Sequence, residues 1–89
     1  MYVLDTGVRT SHSDFRGRVS EGASSVGPSV TDDNGHGTHV AGIVLGAIHG
    51  VARGAVLHPV KVLGADGSGS YSNIIAGLQW CVLVRNPRA

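Results

Sequence analysis

Apolar and polar positions along the chain fall into blocks whose period changes. Tyr2-Val3-Leu4 is a short apolar run of strand formers that stops at Asp5-Thr6-Gly7. Gly17 to Ser29 is rich in Ser and Gly and contains Pro28, so most of it reads as surface loop. Asn34 then offers an N-cap for a helix from Gly35 to Gly46, in which Val40, Ile43, Val44 and Ala47 recur at steps of three and four. That spacing predicts one buried face. Ala55 to Leu63 is the second strand candidate, mostly apolar on both faces, as in a parallel strand covered by helices. Pro59 argues against a central position there, because proline donates no ladder hydrogen bond. Gly64 to Gly69 reads as a flexible loop. Ser72 caps a predicted second helix to Val84, with Ile74, Ile75, Leu78, Cys81 and Val82 inward and Asn86-Pro87 as its stop. Strand, helix, strand, helix in this order predicts an α/β fold with a right-handed crossover.

The length narrows this picture. Eighty-nine residues make one small domain or a piece of a larger one. Fourteen glycines suit tight connections around a site, although a loop-rich chain accounts for them equally well. A formal net charge of +1 without blocks of like charge excludes a nucleic-acid footprint and a polybasic membrane anchor. No apolar run reaches the roughly 18 residues that cross a bilayer. Met1 leads directly into the first strand, so no secretory signal is expected within this chain. The single Cys81 forms no intramolecular disulfide.

The candidate chemistry sits at element ends. Asp5 lies where the first strand stops, the region in which open parallel sheets gather functional groups. A carboxylate there can orient an imidazole, or simply start a turn. Asp-Thr-Gly also occurs in aspartic proteases, which need two copies where this chain has one. His36 opens the predicted helix in Asn34-Gly35-His36-Gly37-Thr38-His39, and the flanking glycines leave room for a substrate or nucleophile. His36 and His39, with Asp32, Asp33, His49 or His58, also admit a metal reading. The well-specified zinc motif, however, spaces its histidines at i and i+4 with a glutamate beside the first, where this chain has Gly37. Gly67-Ser68-Gly69-Ser70-Tyr71 either exposes backbone groups to an extended peptide or is a plain connector. It lacks the lysine of a phosphate loop.

Three blocks taken together resemble the subtilisin-like serine proteases, the subtilases of peptidase family S8, and most nearly their proteinase K-like branch. The first runs through Val3-Leu4-Asp5-Thr6-Gly7-Val8 and on through Ser11-His12-Ser13-Asp14-Phe15-Arg16-Gly17-Arg18. The second is Asp33-Asn34-Gly35-His36-Gly37-Thr38-His39-Val40-Ala41-Gly42. The third is Val60 to Ser72, followed by Ile74-Ile75-Ala76-Gly77-Leu78. They cover a little under half of the chain, in the family's order. The resemblance implies a partial subtilisin-like three-layer fold, with a parallel sheet and flanking helices, in which residues 1–89 are the N-terminal part of a peptidase domain. It matches Asp5 and His36, not His39, to the catalytic aspartate and histidine. It matches Gly67, Ser68 and Gly69 to the strand that pairs with substrate, Tyr71 to an aromatic at a distal specificity pocket, and Leu63 to an apolar residue near the pockets.

The implied activity is endopeptidase cleavage of peptide or protein substrates by an Asp-His-Ser triad, without a cofactor. The implied location is extracellular. Two departures qualify this. The Gly-Thr-Ser-Met-Ala segment of the nucleophile and the oxyanion asparagine do not occur among these residues, so the isolated chain is expected to be inactive. Ala47 to Val51 is shorter than the calcium loop of the bacterial subtilisins, although Asp14 matches one ligand position. The competing readings are a non-catalytic peptide-binding module derived from a subtilase and a metal-binding protein using the histidine pair.

Overall fold

A computed structural model describes residues 1–85. Its strands are β1 (Tyr2–Asp5), β2 (Ala23–Ser24) and β3 (His58–Lys61), and its α-helices are α1 (His36–Leu45) and α2 (Tyr71–Arg85). A 3-10 turn covers Ser13–Phe15. The strands pair in parallel in the order β1-β3-β2.

The register decides which side chains meet which helix. Val3 pairs with Pro59 and Asp5 with Lys61, whereas Leu4 pairs with Val60. Side chains alternate along a strand, so Val3, Asp5, Leu57, Pro59 and Lys61 share one face, and Leu4, Val60 and Val62 the other. The first face meets α1. Val3 and Leu57 are buried with Ala41 and Leu45 of that helix, next to Val8 and Phe15. The second face meets α2, where a β-carbon on Gly77 would collide with Val62. Helices thus cover both faces of a parallel sheet, the three-layer α/β arrangement.

Several details differ from the periodicity. The buried face of α1 is Gly37, Ala41 and Leu45, with Val40 and Val44 flanking it, while Ile43 and Ala47 are exposed. The cause is the close approach of α1 to β1, which admits small residues at the line of contact. The formal N-cap is Gly35, with φ +108° and no capping side chain. Asn34 still contributes, because its Oδ1 accepts the His36 N–H at 3.0 Å. In α2 the capping hydroxyl is Ser70, which accepts the Asn73 N–H at 3.1 Å, and the helix begins one residue before Ser72. Gly77 is the fully packed residue of α2, Ile74 and Cys81 are half-buried, and Ile75, Leu78 and Val82 face solvent. The expected stop at Asn86-Pro87 lies outside the described residues.

β2 emerges from the stretch read as loop, because pairing with β3 rather than local propensity creates it. Pro59 lies in the central strand and is buried. Leu57 N bonds Arg18 O on the β2 side and His58 N bonds Met1 O on the β1 side, so the position of Pro59 N faces β2 again. The β2 side is interrupted there, between the bridge at Val19 and the start of β2 at Ala23. No ladder donor is needed. Gly64 to Gly69 forms a closed turn through Gly64 N to Ser68 O and Gly67 N to Gly64 O, both 2.9 Å.

Candidate active site

β1 and β3 end side by side, and their last residues, Asp5 and Lys61, project from the α1 face. The chain leaves β1 through Gly7, whose φ of +99° disfavours any side chain and whose β-carbon would strike Val30 O. This turn brings the start of α1 over the strand ends. Gly37 has no room for a side chain either, because a β-carbon there would collide with Gly7 O. Its neighbour His36 therefore stands directly beside Asp5.

His36 Nδ1 lies 2.8 Å from Asp5 Oδ1, within the expected hydrogen-bond range. An ionised carboxylate only accepts, so Nδ1 carries the hydrogen and Nε2 of the neutral ring keeps its lone pair. Asp5 is nearly enclosed, with its side chain 12% exposed, while that of His36 is 63% exposed. A second donor, Thr6 N, reaches the same Asp5 oxygen at 2.7 Å. The arrangement is an imidazole held in one tautomer by a sheltered carboxylate, with its basic edge open to solvent.

Residues that carried little sequence signal hold this pair in place. Thr6 is fully buried; its Oγ1 donates to Asp32 Oδ1 and accepts Gly37 N–H, each at 2.8 Å. Asp32 also accepts from Asn34 N, Gly35 N, Thr38 N and Thr38 Oγ1. Burial pushes the Asp32 carboxyl up, but the hydrogen bonds from Gly35, Thr38 and Asn34 together outweigh it and hold the group far below its ordinary value. Lys61, 5% exposed, donates through Nζ to Thr6 O at 2.9 Å, Thr31 O at 2.8 Å and Asp33 Oδ1 at 2.6 Å. A lone lysine inside the apolar run Val60 to Val62 was the available signal, since a buried lysine needs partners. For Asp32 the signal was its place shortly before the helix, where carboxylates cap.

The other candidates fall into two places. Gly67, Ser68 and Gly69 form an exposed segment, and Tyr71 is 87% exposed at the start of α2. Gly69 closes on Val62 and the half-buried Leu63, where a β-carbon would not fit. Asn34 Nδ2 donates to Ala65 O at 2.8 Å, which ties this turn to the cap of α1, two residues from His36. His39 instead lines a cleft with Arg9, His12 and His49 that contains neither Asp5 nor His36. Among the described residues, no group of three or more His, Cys, Asp or Glu could hold a metal ion. Cys81 is partly buried on α2, and that desolvation raises its thiol above the ordinary value, away from reactive thiolate.

This geometry has counterparts among known proteins. The model of the subtilase family matches residues 2–89. The chain belongs to the subtilases. It is 54% identical over 81 residues to an extracellular serine proteinase of a Thermus species, covering 89% of this chain and 20% of that protein. It is 53% identical over 81 residues to a subtilisin-like serine protease of Penicillium rubens, covering 91% and 20%. The crystal structure of a cold adapted subtilisin-like serine proteinase superimposes with a TM-score of 0.85 at 42% identity, over 96% of this chain and 31% of that one. The chain thus spans about a fifth of the length of the curated relatives it matches. Near Asp14 the chain is tied together through one arginine. Asp14 O and Leu45 O accept from Arg18 Nη2 at 2.6 and 2.7 Å, and Ala55 O from Nη1 at 3.0 Å. One guanidinium thus joins the 3-10 turn, the end of α1 and the approach to β3.

Proposed function

We propose that residues 1–89 are the aspartate- and histidine-bearing part of the peptidase domain of an extracellular serine endopeptidase. The carrying observation is the 2.8 Å contact of His36 Nδ1 with Asp5 beside an open Nε2. In this reading, Nε2 of His36 takes the proton of a serine hydroxyl as it attacks the scissile carbonyl, then returns it to the leaving amine. Asp5 keeps the ring in the required tautomer and stabilises the imidazolium that forms, as in the triad of subtilisin. The serine and the oxyanion asparagine come from outside these residues. Gly67, Ser68 and Gly69 pair with the backbone of an extended peptide, and Leu63 and Tyr71 contribute apolar walls for its side chains. No cofactor takes part.

The peptide-binding module is the weaker reading, because a site that only holds peptides has no use for an imidazole fixed by a sheltered carboxylate. The test is a graft in which this chain replaces its 54%-identical counterpart in the Thermus proteinase. The graft is expected to hydrolyse peptides, and Asp5→Asn to lower its turnover about 10⁴-fold by analogy with other triads. The isolated chain is expected to take no label from a fluorophosphonate, which needs an activated serine. A graft that folds and binds peptide without cleaving it would favour the binding module.

A further inference from the structure

Thr6 is the residue through which β1 and α1 grip one another at the site. It follows Asp5 directly and its backbone N–H donates to Asp5 Oδ1 at 2.7 Å. Its hydroxyl accepts the N–H of Gly37, the residue after His36, and donates to Asp32 Oδ1. Its carbonyl accepts from Lys61 Nζ. One fully buried residue therefore bonds the carboxylate that orients the histidine and the helical turn that carries it. A threonine hydroxyl has one hydrogen to give and lone pairs to receive, and both capacities are used across the gap between the two elements.

The geometry assigns Thr6 as a positioning residue: its hydroxyl sets the separation of Asp5 and His36 and so keeps the hydrogen on Nδ1. This role rests on the protease reading only for its consequence in turnover. The contact itself belongs to the chain whatever it does. Thr6→Val keeps the shape and removes the hydroxyl, leaving Gly37 N–H and one bond of Asp32 unpaired in the interior, so the first turn of α1 shifts to find other partners. Thr6→Ser restores the oxygen without the methyl group.

The first readout is the downfield Nδ1–H proton of His36, observed by NMR in the graft into the Thermus proteinase. The resonance is expected in the unaltered graft and in its Thr6→Ser variant, and is expected to be lost in Thr6→Val while most amide signals stay in place. Its persistence in Thr6→Val would overturn the assignment. So would its absence from the unaltered, folded graft, because no contact would then exist for Thr6 to hold. The second readout is kinetic, in the graft with the Thermus proteinase. Thr6→Val is expected to lower kcat about 10- to 100-fold, the scale of a misplaced catalytic group, with KM little changed and kcat recovered by Thr6→Ser. Equal losses in the valine and serine variants would also overturn it. An inactive unaltered graft whose Nδ1–H signals respond as expected would refute the protease reading and support the positioning role.

Discussion

At the scale of single residues, the site is a set of buried and half-buried polar groups that satisfy one another. Asp32 illustrates how far this goes. It accepts hydrogen bonds from Thr6, Asn34, Gly35 and Thr38, all of which favour its ionised form. Its folded carboxyl lies below the unfolded value of 3.8, so the stability it contributes is complete above that value. It is lost as pH falls below about 4 and on through the folded value. Asp32→Asn is expected to lower the stability of the grafted enzyme by about 1–2 kcal/mol near neutral pH, a capping-scale effect tempered by partial solvent access. Urea denaturation at stepped pH checks this: the gap between parent and variant should hold from neutrality to about pH 5 and narrow below about pH 4. A gap independent of pH would mean that the charge of Asp32 is not what the helix terminus uses.

At the scale of elements, the two helices approach the sheet through glycines, and for different ends. Gly37 lets α1 lie against the end of β1, which carries His36 to Asp5. Gly77 lets α2 lie against Val60 and Val62 of the central strand and the residue after it. The obstacle at Gly77 is the branched side chain of Val62, packed inside the layer with little room to turn aside. Gly77→Val is expected to destabilise the grafted enzyme by about 2–3 kcal/mol through overpacking, read as a lower thermal midpoint. Turnover per folded molecule should change little, because a side chain at position 77 meets Val60 and Val62 and not Asp5 or His36. An equal loss of turnover in the variant would show that α2 and the site are coupled.

At the scale of the whole molecule, the described residues carry an uncovered apolar surface. Ile75, Leu78, Val82 and Leu83 follow a helical spacing on α2, and each is more than half exposed. Contiguous apolar area of this kind promotes association in water. No helix among the described residues is long and apolar enough to cross a membrane. The isolated chain is expected to self-associate as its concentration rises and to melt without a sharp transition. Leu78→Glu with Val82→Glu is expected to return it toward a monomer in analytical ultracentrifugation. A monodisperse parent chain that melts cooperatively would contradict this.

Much of this was legible in the residues themselves. Asp5-Thr6-Gly7, the histidine segment and the block from Val60 point to the family and to the pair that meets at the site, and the apolar run from Ala55 to the parallel sheet. They do so because strand ends, helix starts and tight turns depend on local steric and hydrogen-bonding chemistry. The periodicity of α1 and α2 found the packed side only in part, at Val40, Val44, Ile74 and Cys81, because a helix that closes on a sheet through glycine and alanine hides its contact line from any count of large apolar residues. Pro59 fits a central strand only because the neighbouring strand is interrupted opposite it, a fact of pairing across the sheet. The same holds for Thr6, Asp32 and Lys61. Each is an ordinary polar residue along the chain, and each becomes part of the site only where folding withdraws it from water and leaves the others as its partners.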